Sequence, residues 1–272
     1  MGSSSGSRDG RRVARLFNQY RDVGDNERAC DLQHVLEVDG IEVVTSAVRK
    51  PGYTACLLCP VPDKPGGIIL APGQSRGRTR FSIAHELGHY HIPSHGGRSR
   101  GWCGEKDMVA REDWDATLEW EANDFAAELL MPRKPFSRDV EGRDPAFKEI
   151  GELASPDMYD VSRTAAALRY VELAKRRCAL VCAEDGNIDW VAKSKDFPYR
   201  IPWIGDLVPP SSMSAFTFNG EGDVSSLEEL DPYVWLEIEQ RRPVELFEST
   251  LSIPTQDQVL SLIWVVPEGA WA

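Results

Sequence analysis

The stretch that constrains this chain most is Arg80-Phe-Ser-Ile-Ala-His85-Glu86-Leu87-Gly88-His89. At 3.6 residues per turn, a spacing of four stacks His85 and His89 on one helix face, where both imidazoles can meet one divalent ion. Glu86, beside the first histidine, is placed to act as general base toward an attacking water. The helix that carries them is predicted from about Thr79 to His91, stopped by Pro93, with Gly88 leaving room for a close neighbour. Two histidines are too few, because a catalytic zinc takes three protein ligands and keeps one position open.

The residues after His89 run Tyr90-His91-Ile92-Pro93-Ser94-His95, without the downstream histidine at the fixed offset of a metzincin. A carboxylate from a second helix, predicted over Trp114 to Leu130, is the natural third ligand. On it Leu118, Ala122, Phe125, Ala126 and Leu129 form one buried face, and Glu119 and Glu121 flank that face on opposite sides. Periodicity leaves both open. Asp124 and Glu128 are expected on the solvated side. Tyr90, His91 and His95 are the candidates for an oxyanion donor or substrate contact. Cys103, in the glycine-rich stretch after His95, reads as a loop cysteine without a role rather than an inhibitory thiolate.

Around this pair the pattern is α+β. Residues 1–10 are polar, read as a flexible N-terminus and are set outside the fold. One or two helices follow between Arg12 and Leu36. Runs at Ile41 to Val48, Tyr53 to Val61 and Gly67 to Ala71 read as a small, mostly antiparallel sheet, with Cys56 and Cys59 as strand residues. Helices near Pro145 to Leu153 and Val161 to Arg176, separated by Ser155-Pro156-Asp157, have helix-turn-helix proportions. Arg163, Arg169, Lys175, Arg176 and Arg177 would suit phosphate contacts, but an amphipathic helix packing through Ala165, Leu168 and Val171 is the favoured reading. Beyond it, Cys178 to Ala183 and Ile188 to Ala192 frame the turn Asp185-Gly186-Asn187, and two further strands run Val244 to Ile253 and Val259 to Val266. The expected division is 1–10, a peptidase domain at 11–135, a helix-turn-helix-like segment at 136–178 and a small-sheet domain at 179–272.

A formal charge of −12, from 43 acidic and 31 basic residues, argues against a protein that coats nucleic acid non-specifically and makes DNA binding the lesser reading. The six cysteines are too sparse for a disulfide framework and read as reduced. No apolar run approaches the ~20 residues that span a bilayer, and the start lacks the apolar core of a secretory signal. A cytoplasmic protein with no membrane partner is expected.

Phe81-Ser-Ile-Ala-His-Glu-Leu-Gly-His89, followed by Glu119-Trp-Glu-Ala-Asn-Asp-Phe-Ala-Ala-Glu-Leu-Leu-Met-Pro132, resembles the paired signature of the ImmA/IrrE metallopeptidases. The likeness is strongest over residues 67–132, weaker to Tyr170 and faint beyond Ala183. It implies a zincin-like, gluzincin-type fold and makes Glu121, the glutamate directly before Ala-Asn, the third ligand beside His85 and His89. It implies zinc as cofactor, with manganese as the alternative ion. The substrate it implies is a helix-turn-helix transcriptional repressor, often encoded next door and cut during stress or mobile-element induction. Some members carry a C-terminal domain similar to GAF sensors, and the order of segments here matches. Two other readings compete: a non-catalytic metal-binding regulator that sequesters a repressor or senses a ligand, and the toxin of a two-gene module.

Overall fold

The computed structural model describes residues 7–20, 28, 30–48, 54–58, 66–95, 114–218, 224, 226–237 and 244–267. It divides into two units, Met1–Pro135 with Pro156–Ser162, and Phe136–Ser155 with Arg163–Ala272. The segment expected to stand alone at 136–178 is therefore shared: 156–162 joins the first unit, and the helices on either side join the second.

In the first unit, helices α1 (Ser7–Tyr20) and α2 (Leu32–Asp39) precede strands β1 (Ile41–Thr45), β2 (Ala55–Leu58) and β3 (Gly66–Leu70). Asp31 caps α2 by accepting from the backbone N–H of Gln33 and His34, and Gly40 ends it at φ 64°. The sheet order is β1-β3-β2, with β1 parallel and β2 antiparallel to β3. The sheet is thus mixed, where a mostly antiparallel one was expected. Gly66-Gly67-Ile68-Ile69-Leu70 has no polar residue to turn outward, so β3 takes the centre, and the excursion through β2 brings it back alongside β1.

Helix α3 (Arg76–His91) follows, capped by Ser75, whose hydroxyl accepts from the Arg78 N–H. Its second half, Ser82 through His89, is buried on every side. Its first turn is fastened to the 156–162 segment. Arg76 donates from Nε and Nη2 to the Asp160 carboxylate at 2.7–3.0 Å, and Arg80 donates to the Asp160 carbonyl at 2.9 Å. A Cβ on Gly77 would stand 2.5 Å from the Ser162 nitrogen, so only glycine permits this approach.

Helix α4 (Trp114–Leu130) keeps its predicted limits, and Leu118, Ala122, Phe125, Ala126 and Leu129 are all buried. It is gripped from two sides. Gly88 of α3 faces Ala122, and Gly10 of α1 faces the Glu121 carbonyl, where a Cβ would lie at 2.1 Å. Residues 7–10 are therefore part of the fold, because α1 starts within the stretch set aside as a flexible tail. The packing of α1 also corrects the solvated reading of the acids on α4. Asp124 pairs with Arg11 at 2.7 Å, and the buried Glu128 accepts from the Arg133 N–H at 3.1 Å, at the start of α5 (Arg133–Val140).

The second unit is built on an all-antiparallel five-stranded sheet, ordered β5-β4-β8-β7-β6. Its strands are β4 (Arg177–Glu184), β5 (Asn187–Lys193), β6 (Glu228–Leu230), β7 (Val244–Ile253) and β8 (Gln258–Pro267). Asp185 and Gly186, both at positive φ, make the tight β4–β5 turn that the sequence calls for. On one face lie α6 (Phe147–Ala154), whose Phe147 N–H donates to Ser249 Oγ, and α7 (Arg163–Leu173). The buried side of α7 is Ala166, Ala167, Tyr170 and Val171; it shares Val171 with the expected face, but Leu168 is exposed. Arg169 is buried and bonds Glu172, while Lys175 pairs with Glu141 and Arg176 with Asp144. Three of the five basic residues proposed for phosphate are thus engaged by carboxylates.

The other sheet face packs an apolar cluster around Val181, Trp235, Leu246 and Ile263. At its edge the fully buried Glu248 accepts from the backbone N–H of Met213 and Ser214, from Trp235 Nε1 and from Ser261 Oγ, at 2.7–3.1 Å. The two amides open α8 (Met213–Phe218), so the carboxylate fixes that helix to the sheet. Cys178 and Cys182 lie inside β4, and burial pushes each thiol up to about 12. Among the described residues Cys30, Cys56, Cys178 and Cys182 are in no disulfide; Cys59 lies outside the described residues.

Candidate metal centre

Helix α3 brings His85 and His89 to one point: their Nε2 atoms are 3.1 Å apart, with ring centroids at 4.8 Å. Glu119 of α4 closes the group, with Oε2 3.1 Å from His85 Nε2 and Oε1 3.4 Å from His89 Nε2. One ligand atom from each of the three residues lies within 4.8 Å of the others. The chemistry of this set fits a divalent ion: two imidazole nitrogens and one carboxylate, converging and electron-rich.

The outer nitrogens explain why the inner ones face inward. Asn123 Oδ1 accepts from His85 Nδ1 at 2.8 Å, so in neutral His85 the lone pair sits on Nε2 and faces the centre. His95 Nε2 donates to Glu121 Oε2 at 2.9 Å, so neutral His95 has a bare Nδ1, and His89 Nδ1 donates to it at 3.0 Å. His89 Nε2 is then also left as a lone pair. Both second partners are needed, because each histidine is tied to a tautomer by a group on its far side.

Electrostatics follow the same layout. Burial opposes protonation of His85, but the Glu119 hydrogen bond and the charges of Glu86 and Glu119 outweigh it, and its pKa stands above the ordinary value. His89 is lowered, mainly by burial. His95 is lowered for the same reason, with Glu121 resisting. Burial would raise Glu119, yet protonated His85, donating from Nε2, and the neighbouring His89 hold it far below the usual carboxylate range. Glu86 is 1% exposed, on the turn that bears His85.

The structure therefore places Glu119, not Glu121, beside the two histidines. Glu121, the ligand implied by the family resemblance, is buried and turned to His95, with Ser94 Oγ 3.5 Å away. Of the three residues considered for the oxyanion or substrate, His95 belongs to this inner chain of hydrogen bonds. His91 points elsewhere, bonding Asp39 at 2.9 Å and packing against Phe17 and Phe125, while Tyr90 sets its ring edge-on to His91. Cys103 and the glycine-rich stretch lie outside the described residues. Sequence reasoning missed Asn123. Its signal was its position four residues after Glu119, on the same helix face.

Among curated proteins no sequence matches. In fold the chain is similar to a solved structure described as a Mycobacterium tuberculosis transcriptional regulator, at TM-score 0.60 and 14% identity, covering 94% of this chain and 76% of that one. No described helix is long and apolar enough to cross a membrane. Residues 40–169 match the IrrE N-terminal-like domain of peptidase family M78.

Proposed function

We propose that the protein is a metal-dependent endopeptidase that inactivates a helix-turn-helix repressor by cutting it, with His85, His89 and Glu119 as metal ligands and Glu86 as the catalytic residue. The observation that carries this reading is the pair of inward Nε2 atoms at 3.1 Å, each histidine fixed in its tautomer, with the Glu119 carboxylate alongside. A bound zinc or manganese ion would supply Lewis acidity, lowering the pKa of a water toward ~7 and polarising the scissile carbonyl. Glu86 then takes the proton of the attacking water and passes it to the leaving amine. Its buried place beside His85 keeps that proton from bulk solvent. Asn123, His95 and Glu121 act as positioning residues by holding the two imidazoles. The repressor as substrate rests on the family domain, and cytoplasmic action accords with the lack of a membrane-spanning helix among the described residues.

The test is intact-mass analysis of the candidate repressor encoded next to this gene, after incubation with the zinc-loaded chain. One new pair of fragments, absent with Glu86→Gln although that variant still binds zinc, is the expected result. An uncut repressor, or equal cutting by Glu86→Gln, would overturn the proposal.

A further inference from the structure

The second unit exposes an apolar turn that its own packing does not use. Trp203, Ile204 and Leu207 are 73%, 68% and 71% exposed, the highest values among the large apolar residues described. The turn is held firmly. Trp203 O accepts from the Asp206 N–H at 3.0 Å, Asp206 Oδ2 accepts from the Trp203 N–H at 2.8 Å, and Gly205 sits at φ 94°. Gly205 N–H donates to Ile188 O, Ile188 N–H to Asp206 O, and Val208 N–H to Gly186 O, all at 2.7–2.9 Å. Three large apolar side chains on a backbone tied at both ends are pre-organised, so little conformational freedom is lost when something covers them.

The surroundings say what that partner is. The turn lies along the start of β5, next to the β4–β5 turn, which in turn bonds the β7–β8 connection through Asp185 N–H and Asp257 O. Glu184, Asp185, Asp189, Asp206 and Asp257 are all exposed there. No lysine or arginine occurs in residues 184–189, 201–210 or 253–258. Over residues 178–272 there are 16 acidic against five basic residues, so nearly all of the chain's net charge of −12 lies in this part. Such a rim repels nucleic acid and anionic membranes and favours a basic protein surface.

We infer that the Trp203–Leu207 turn is a docking site, distinct from the metal centre, that inserts into an apolar cleft framed by lysines or arginines on the substrate repressor. A DNA-binding protein carries such basic surface to meet phosphates. The identity of the partner rests on the peptidase reading; the chemistry of the surface does not. Tryptophan at the centre of an apolar contact is the residue type that dominates interface energetics, and the charged rim steers the encounter.

The experiment measures binding of the full-length repressor to the zinc-loaded, full-length Glu86→Gln chain at low and high salt. The expected result is affinity that falls with salt, and that drops about tenfold or more in Trp203→Ser/Leu207→Ser and in Asp185→Lys/Asp189→Lys, with unchanged thermal unfolding. Unchanged affinity in both double variants, or no binding by the chain with its turn intact, overturns the docking site. So does a concentration-dependent dimer of this chain that disappears in Trp203→Ser/Leu207→Ser, since the turn would then face a second copy. Cleavage is read separately with Glu86 present. A repressor bound through the turn but never cut removes the peptidase reading and leaves the docking site; one cut at the native rate by the turn variants does the reverse.

Discussion

His95 Nε2 lies 2.9 Å from Glu121 Oε2, and in the proposed centre this bond, rather than a metal contact, is the part given to Glu121. It decides which nitrogen of His95 is bare, and so which nitrogen of His89 is left for an ion. Glu119 and Glu121 should therefore differ in kind. Glu119→Ala is expected to abolish stoichiometric zinc binding, while Glu121→Ala should weaken it about 10- to 100-fold with zinc still bound at saturation. Competition with a chelator of known affinity measures both. Stronger loss in Glu121→Ala than in Glu119→Ala would exchange their roles.

Gly88 and Gly77 should each resist alanine. Alanine in a helix ordinarily gains about 1 kcal/mol over glycine. At Gly88 the new Cβ would meet the Ala122 Cα at 3.0 Å, and at Gly77 the backbone of Val161 and Ser162 at 2.5–2.6 Å. Overpacking of this kind costs about 1–3 kcal/mol. Urea unfolding should give a net loss at both positions, larger for Gly77→Ala. A gain at either would mean the helices separate without penalty.

Asp160 gives the first unit a term that depends on pH. The Arg76 hydrogen bond, opposed by burial and helped by the charge of Arg80, holds its carboxyl below the ordinary aspartate value. A carboxylate lowered in the folded state stabilises fully above its unfolded value, near ~4, and the contribution disappears as pH falls through the lowered folded value. The stability difference between the native chain and Asp160→Asn should be constant from about pH 6 to 7 and shrink below about pH 4. Asparagine tolerates the positive φ of 51° at this position, so the comparison isolates charge. A difference that stays the same down to about pH 2 would remove the ion pair from the account.

Glu248 has four donors aimed at its carboxylate. In Glu248→Gln one acceptor oxygen becomes an NH2 facing N–H or O–H groups, so at least one buried donor loses its partner. The expected cost is about 3 kcal/mol, read as a lower midpoint in urea for the second unit. A midpoint at the native value would show that the donors find other acceptors.

Much of this was legible in the sequence, for reasons that differ by element. The His85/His89 pair and α4 could be read because helical periodicity is local, and the 1.5 Å rise per residue fixes which side chains share a face. The β4–β5 hairpin was legible from Asp185-Gly186, whose backbone preference needs no tertiary help. The order β1-β3-β2 was not, because strand pairing is chosen by long-range packing that a run of apolar residues does not encode. The third corner of the metal centre fell between these cases. Glu119 and Glu121 flank the same buried face, and only the position of α3 selects between them. The second partners were hidden for a like reason: His95 reaches His89 through the turn at Pro93–His95, and Asn123 reaches His85 across helices. Only the first turn of the N-terminal helix was missed, because residues 7–10 have the composition of a tail although Gly10 lies against the Glu121 backbone.

Glu119 and Asn123, one turn apart on α4, hold the two nitrogens of the same His85 ring. A slip of α4 by a single residue would turn both away by ~100° and lose both bonds at once. The ring therefore works as a proofreading point for how two helices are threaded past each other. Replacing any one of the three side chains would therefore disturb the candidate site and the register of the two helices together.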